Sequence, residues 1–389
     1  LYFLTVIYFV RIEAKRLGLT PNRADGPEKV SKVLKEGGHF IIPMAVLVAF
    51  LVIGRTPTTS AAFAILSVIA ASWLSSTPMR LPEIFDAVVE GVKAMVLTAL
   101  LLVAIGIIVN VVTTTGIGHA FSLMVVEWAQ GSLLATLILV AFASLVLGMG
   151  LPVTASYIVL ATLSAPLIFD LITQTQLLIA LQAGDLPSNI AATLSLFGGD
   201  PLTALQEMPL EMKQIIRQEM LDPEFINGML LSAHLIIFWL SQDSNVTPPV
   251  CLASFAAAGI AGTKPMATGL ASWKVAKGLY LVPVLFAYSP LIYGTWPERL
   301  EVFVWSSMGL YAMAGLLQWH LETKINAFIA VLLLLSAALL MRVPFPIYYH
   351  FIGAAILLGI IYFQNYPTKA KDRDCQRRDS SKASKVHIK

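Results

Sequence analysis

Long apolar runs recur along the chain, separated by short polar stretches, at about residues 39–54, 60–76, 92–114, 132–147, 228–241, 278–295, 302–319, 325–342 and 346–364. A helix needs roughly 20 mostly apolar residues to cross the hydrocarbon core, and several of these runs approach that length. Residues 117–130 fit neither a span nor a loop cleanly, and Pro82–Glu90 has the pattern of a separate amphipathic helix lying at the interface. Two places interrupt the apolar pattern in mid-run. The stretch Leu133–Leu147 stops at GMGLPVTASY (148–157) and resumes over Ile158–Ile168. The stretch 228–241 stops at SNVTPPVCLA (244–253).

Both interruptions have the same chemical consequence. Proline has no N–H, so Pro152 cannot bond to the carbonyl of Gly148, nor Pro248 and Pro249 to those of Ser244 and Asn245. In hydrocarbon each open carbonyl is costly unless protein, water or an ion satisfies it. A packed proline kink that binds nothing is the plain alternative. Two adjacent prolines behind three polar side chains, matched by a second break, point instead to a transporter site. The candidate residues are Gly148, Gly150, Pro152 and Thr154 in the first break, and Ser244, Asn245, Thr247, Pro248 and Pro249 in the second.

The composition places the breaks in a membrane. Hydrophobic residues make up 57% and charged residues 13%, against roughly 45–50% and 25% in soluble proteins. The fold class expected is all-α, a polytopic membrane protein with discontinuous or re-entrant helices. Basic residues gather in the linker Arg11–Gly38 and in the tail from Lys369 to Lys389. The positive-inside rule sets both in the cytoplasm. Residues 170–224 carry eight acids and two bases, which favours the outer side. The expected organisation is the end of a preceding helix plus a cytoplasmic linker over 1–37, a membrane domain over 38–365 with a polar insertion at 170–224, and a basic cytoplasmic tail over 366–389.

Other chemistry is sparse. The basic runs read as solvated segments, so no nucleic-acid surface is expected. Cys251 and Cys375 do not form a disulfide or metal pattern. Gly198-Gly199-Asp200 is similar to the motif of intramembrane aspartyl proteases, but Asp200 falls in a polar loop with no second membrane carboxylate opposite. His234 reads as a hydrogen-bonded structural histidine.

The stretches GMGLPVTASYIVLA (148–161), SNVTPPVCLASFAAAGIAG (244–262), KPMATG (264–269) and RIEAKRLGL (11–19) together resemble TRAP transporters, specifically fused permeases of the TAXI type. The resemblance implies a sodium-coupled, binding-protein-dependent importer of organic acids in the cell inner membrane, working by an elevator-like movement. It implies a periplasmic substrate-binding protein as partner, and either a missing N-terminal half or a small membrane subunit. Sodium is the only coupling ion implied, no cofactor is expected, and the chain is not an enzyme. By match to the motifs, sodium would be held through Gly148, Asn245 and Thr247. Such permeases contain two inverted repeats and one set of breaks occurs here. The chain is therefore expected to be one half of an inverted-repeat transporter, with the counterpart upstream of Leu1. The segment between Leu167 and Ser232 exceeds the family pattern and is expected to be an inserted, passive surface loop. Two rival readings make different predictions. In a non-transporting scaffold, Asn245→Ala and Thr247→Ala would leave sodium affinity unchanged. An intramembrane enzyme would turn over without an ion gradient, but no nucleophile–base set or carboxylate pair is evident.

Overall fold

A computed structural model describes residues 1–19, 37–74, 78–182, 186–198, 200–249, 251–341 and 346–364. Most of the expected cytoplasmic linker, and all of the basic tail, lie outside the described residues. Contacts group the chain into two compact units, Thr20–Ala104 and Leu1–Leu19 with Ile105–Lys389.

In the smaller unit, α2 (Ile41–Val52) and α3 (Pro57–Ser72) form an antiparallel hairpin. The turn is set by chemistry: Thr56 caps α3 by accepting from the Thr59 N–H, and Pro57 occupies the first helical position. Phe50 and Phe63 stack across the hairpin at 4.4 Å.

The expected interfacial helix at Pro82–Glu90 is not a separate element. α4 runs unbroken from Leu81 to Thr115. Between the two patterns stands only Gly91, and a single glycine costs a helix about 1 kcal/mol, too little to end one this long. The helix ends at Gly116, whose φ of +70° suits glycine. The chain bends there by 75° into α5 (Ile117–Ala129).

In the larger unit, α6 (Leu133–Gly148) leads through the first break into α7 (Val153–Gln182). Three short helices follow: α8 (Ser188–Leu196), α9 (Pro201–Glu207) and α10 (Leu210–Met220). Then come α11 (Pro223–Ser241), a 3₁₀ turn over Gln242–Asn245, α12 (Leu252–Ala261) and α13 (Pro265–Val275). The chain closes with α14 (Gly278–Tyr288), α15 (Trp296–Gln318), α16 (Ala327–Met341) and α17 (Ile347–Gln364). Among the described residues, five stretches are long and apolar enough to cross a membrane: Val153–Gln174, Pro223–Asn245, Pro265–Tyr288, Trp296–Gln318 and Ile347–Gln364. The protein is an all-α, polytopic membrane protein.

Among the described residues, three apolar cores hold this unit together. One joins α6, α7, α11 and α14 through Val140, Leu160, Ile236 and Val282. A second joins α1 (Tyr2–Arg16) to α15, α16 and α17 through Phe9, Ile12, Leu333 and Leu357. At the edge of the second core Glu322 accepts from Arg11, Lys15 and Tyr311, while Gln364 accepts from the Glu322 N–H. The third core corrects an expectation. The segment after Asp170 is a folded helical cap rather than a passive loop. Its apolar residues recur at helical spacing, so Leu177, Leu181, Ile190, Leu194, Leu205 and Ile216 bury one another. Asp200 stands outside the helices, as expected, and caps α9 by accepting from the Thr203 N–H.

Candidate functional site

The two breaks meet. A methyl group built at Gly148 would stand 3.3 Å from the Cα, Cβ and N of Ser244, so the backbones approach at a distance that glycine permits and a side chain crowds. Both α6 and α7 also contact the 3₁₀ turn Gln242–Asn245. α6 ends at Gly148, where Leu147 O collects the N–H groups of Gly150 and Leu151 and tightens the last turn, and Pro152 precedes α7, its carbonyl accepting from the Ser156 N–H.

The second break is built around Asp243. Its backbone carbonyl accepts from the N–H groups of both Val246 and Thr247, and its Oδ1 accepts from the Thr247 hydroxyl at 2.5 Å. Pro248 and Pro249 then withhold their donors, and α12 starts only at Leu252. Among the described residues no hydrogen bond reaches the carbonyls of Gly148, Ser244 or Asn245. These are the three oxygens that the proline positions leave open.

The nine candidate residues divide into two groups. Gly148, Ser244 and Thr247 are buried, while Asn245 and Pro248 are half-buried beside them. The Asn245 amide donates to Gln242 Oε1 at 3.3 Å, and the Ser244 hydroxyl donates to Ser241 O at 3.2 Å. Pro248 packs over Gly269 together with the buried Cys251, tying KPMATG to the break. Gly150, Pro152, Thr154 and Pro249 are exposed. His234 is hydrogen-bonded as expected, by Nδ1 to the Tyr157 hydroxyl at 3.1 Å.

Asp243 itself is the residue that reading the polar pattern misses. It is fully buried (0% exposed), it lies within the span Pro223–Asn245, and its Oδ2 has no hydrogen-bond partner. The Tyr280 hydroxyl faces the Asp243–Thr247 pair from α14. Among the described residues no Lys, Arg or His forms an ion pair with this carboxylate. The signal was present: an acid inside a span is a functional candidate by default. Buried serines Ser144 and Ser156 stand one turn before Gly148 and one turn after Pro152, and each hydroxyl lacks a partner. The junction thus offers hydroxyl, carbonyl and carboxylate oxygens with one negative charge and no cation. Oxygen-rich, uncompensated sites of this kind suit a hard cation. Among the described residues no three His, Cys, Asp or Glu side chains cluster as a transition-metal site would require.

Residues 1–292 match the family described as Tripartite ATP-independent periplasmic transporter, DctM component. The chain belongs to this family. It is a TRAP transporter permease component, and permeases of this family work with a periplasmic binding protein and a small membrane subunit. The matched region contains both breaks and ends just after α14. No curated protein and no solved structure matched the chain.

Proposed function

We propose that this permease component is a sodium-coupled importer of organic acids in the cell inner membrane, supplied by its periplasmic binding protein. The observation that supports the reading best is the junction itself, where Gly148 touches Ser244 beside a buried carboxylate oxygen without a partner. In this reading sodium sits among the open carbonyls of Gly148, Ser244 and Asn245, the Thr247 hydroxyl and Asp243. The cation neutralises Asp243 and presents positive charge to the carboxylate of the substrate. Coupling follows from electrostatics. An anionic substrate would be repelled by bare Asp243 and attracted once the cation is bound, so each ligand strengthens the other by the same factor. Gly150, Pro152 and Thr154 form the exposed lip of the first break, where substrate would arrive.

The test is uptake of a labelled organic acid by proteoliposomes containing the assembled transporter and its binding protein, with and without a sodium gradient. Uptake should require sodium, and Asn245→Ala, Thr247→Ala and Asp243→Asn should each raise the half-saturating sodium concentration by about tenfold, or 1.4 kcal/mol. Uptake that ignores the sodium gradient would remove the proposal. Sodium affinity unchanged in all three variants would instead return the junction to a packing role.

A further inference from the structure

We propose that the cavity between α5, α7 and α10 binds a singly charged oxyanion carried on an apolar body, a carboxylate or a phosphodiester, through Lys213 with Arg217 behind it. This site is separate from the helix junction and does not rest on the reading of transport given above. The cavity has a volume of about 1050 Å³, and its wall includes Ser122 and Glu127 of α5, Thr162, Asp170 and Gln174 of α7, and Lys213 of α10. Local sequence explains the opening. Pro166 lies inside α7 and cannot bond to the Thr162 carbonyl, so the helix loosens where the cavity begins. Ser122 donates to the neighbouring Leu163 carbonyl and ties α5 to this turn.

At the inner end of the cavity, around Asp170, the charges do not balance, although Glu127 and Glu207 make the wall as a whole net negative. Asp170 receives Arg217 Nη2 on Oδ1 at 2.5 Å, and Lys213 Nζ stands 3.5 Å from Oδ2. Lys213 and Arg217 are one turn apart on α10, so both reach the same carboxylate from one face. Two cations therefore share one anion at a place where the side chains of Arg217 and Lys213 are 2% and 15% exposed. The hydrogen bonds are equally incomplete. Arg217 Nε and Nη1 are buried without partners, and the Lys213 ammonium makes no hydrogen bond among the described residues. Phe169 covers the guanidinium at 4.7 Å, which offers its face a weak partner and its N–H groups none. An oxyanion at Lys213 would supply the missing charge and acceptors to the ammonium, and would let Asp170 turn more fully toward Arg217.

The rest of the wall narrows the ligand class. Glu127 and Glu207 are exposed at the rim, and their repulsion works against an anion carrying more than one charge. Leu123, Leu167 and Met208 line the same space and want hydrocarbon. A monocarboxylic acid with an alkyl or aryl body meets both conditions, and so does the phosphodiester of an anionic lipid.

The experiment uses the full chain, purified and followed by thermal unfolding. In the first arm sodium octanoate is titrated against sodium chloride at equal ionic strength. In the second arm the protein is placed in vesicles of phosphatidylglycerol or of phosphatidylcholine. Octanoate should raise the unfolding temperature saturably, with half-saturation at least tenfold weaker in Lys213→Gln and restored in Lys213→Arg. Asp170→Asn should bind octanoate more tightly than wild type, because it frees both cations; a network with only a structural role gives no such gain. Should Asp170→Asn fail to fold, the Gln and Arg replacements at Lys213 carry the same decision. Stabilisation by phosphatidylglycerol that depends on Lys213, without any response to octanoate, would support the site and assign it to lipid. Equal responses of wild type and Lys213→Gln in both arms would overturn it.

Discussion

Among the described residues of the larger unit of this permease two carboxylates lie buried, Asp170 and Asp243, and their surroundings are opposite. Asp170 is gripped by two cations from α10. Asp243 has the Thr247 hydroxyl on one oxygen and the Tyr280 hydroxyl facing it from α14, and no cation pairs with it among the described residues. Removing a carboxylate from water costs several kcal/mol after relaxation, and only a partner of opposite charge offsets that. Asp170 carries its partners in its own chain. Asp243 does not, and it lies at the place where two helices are broken and three carbonyls are open. The difference separates a charge that holds a fold together from one that leaves room for an ion that comes and goes.

The largest effect expected is at the first of these. Arg217→Met leaves Asp170 with Lys213 alone at 3.5 Å and should destabilise the protein by about 3–5 kcal/mol, the usual consequence of breaking a buried pair. Thermal unfolding reads this directly. The expected outcome is a loss of the same size at every sodium concentration, with the sodium response of wild type kept, whereas an unchanged unfolding temperature would mean that the pair contributes nothing. Asp243→Asn should give the opposite signature. The amide oxygen still accepts from Thr247, and an unneutralised buried charge disappears, so stability in sodium-free buffer should hold or rise. Stabilisation by added sodium should vanish. If Asp243→Asn instead costs as much as Arg217→Met and keeps its sodium response, the contrast between the two carboxylates is wrong.

Much of this contrast could be read from residue order, and the part that could not has a definite cause. The positions of the breaks follow from proline chemistry alone, because a missing N–H opens the same carbonyl wherever the chain goes. The contact of Gly148 with Ser244 joins residues 96 positions apart, and no local rule yields it. The same holds for Arg217 and Asp170, separated by 47 positions. Asp243 escapes a reading by pattern because it sits at the seam between an apolar run and a polar break, where an acid looks like the edge of a loop. The cap over 170–224 has the look of a loop because its eight acids, against two bases, mark it as polar. Its apolar residues are spaced for helices too short to stand out singly, and they acquire meaning only once packed against each other.

Intermediate effects should come from crowding the junction without touching its charge. A methyl at Gly269 would meet Cys251 Sγ at 2.7 Å and Pro248 Cγ at 3.1 Å, so Gly269→Ala should push on the proline pair and cost about 1–3 kcal/mol. At Gly148 the contacts to Ser244 are looser, at 3.3 Å, but two of the three are backbone atoms that define the break. Gly148→Ala should therefore cost less stability than Gly269→Ala and weaken sodium binding more. Sodium-dependent stabilisation measured on both variants separates the two effects. The reverse order would place the ion away from Gly148.

Glu322 supplies the intermediate case and the smallest expected effect. Like Asp170 it faces two cations, Arg11 and Lys15, but these are 49% and 37% exposed, so water screens them. Burial by itself would push the Glu322 carboxyl up. The hydrogen bonds from Lys15 and Tyr311, with the charges of Lys15 and Arg11, outweigh it and hold the carboxyl below its usual value of 4.5. A depressed carboxylate pKa stabilises the fold above the unfolded value and loses that contribution as pH falls through the lowered, folded one. The attachment of α1 to α15 and α17 should thus be indifferent to pH near neutrality and loosen only well into acid. Lys15→Ala should cost about 0.2–1 kcal/mol at neutral pH, and its difference from wild type should shrink with salt and disappear once Glu322 is protonated. Hydrogen exchange along Tyr2–Arg16, compared at neutral and acid pH, measures it. A cost as large as that of Arg217→Met would show that the exposure of the partner cations, which separates Glu322 from Asp170, is not what sets the strength of a carboxylate's grip.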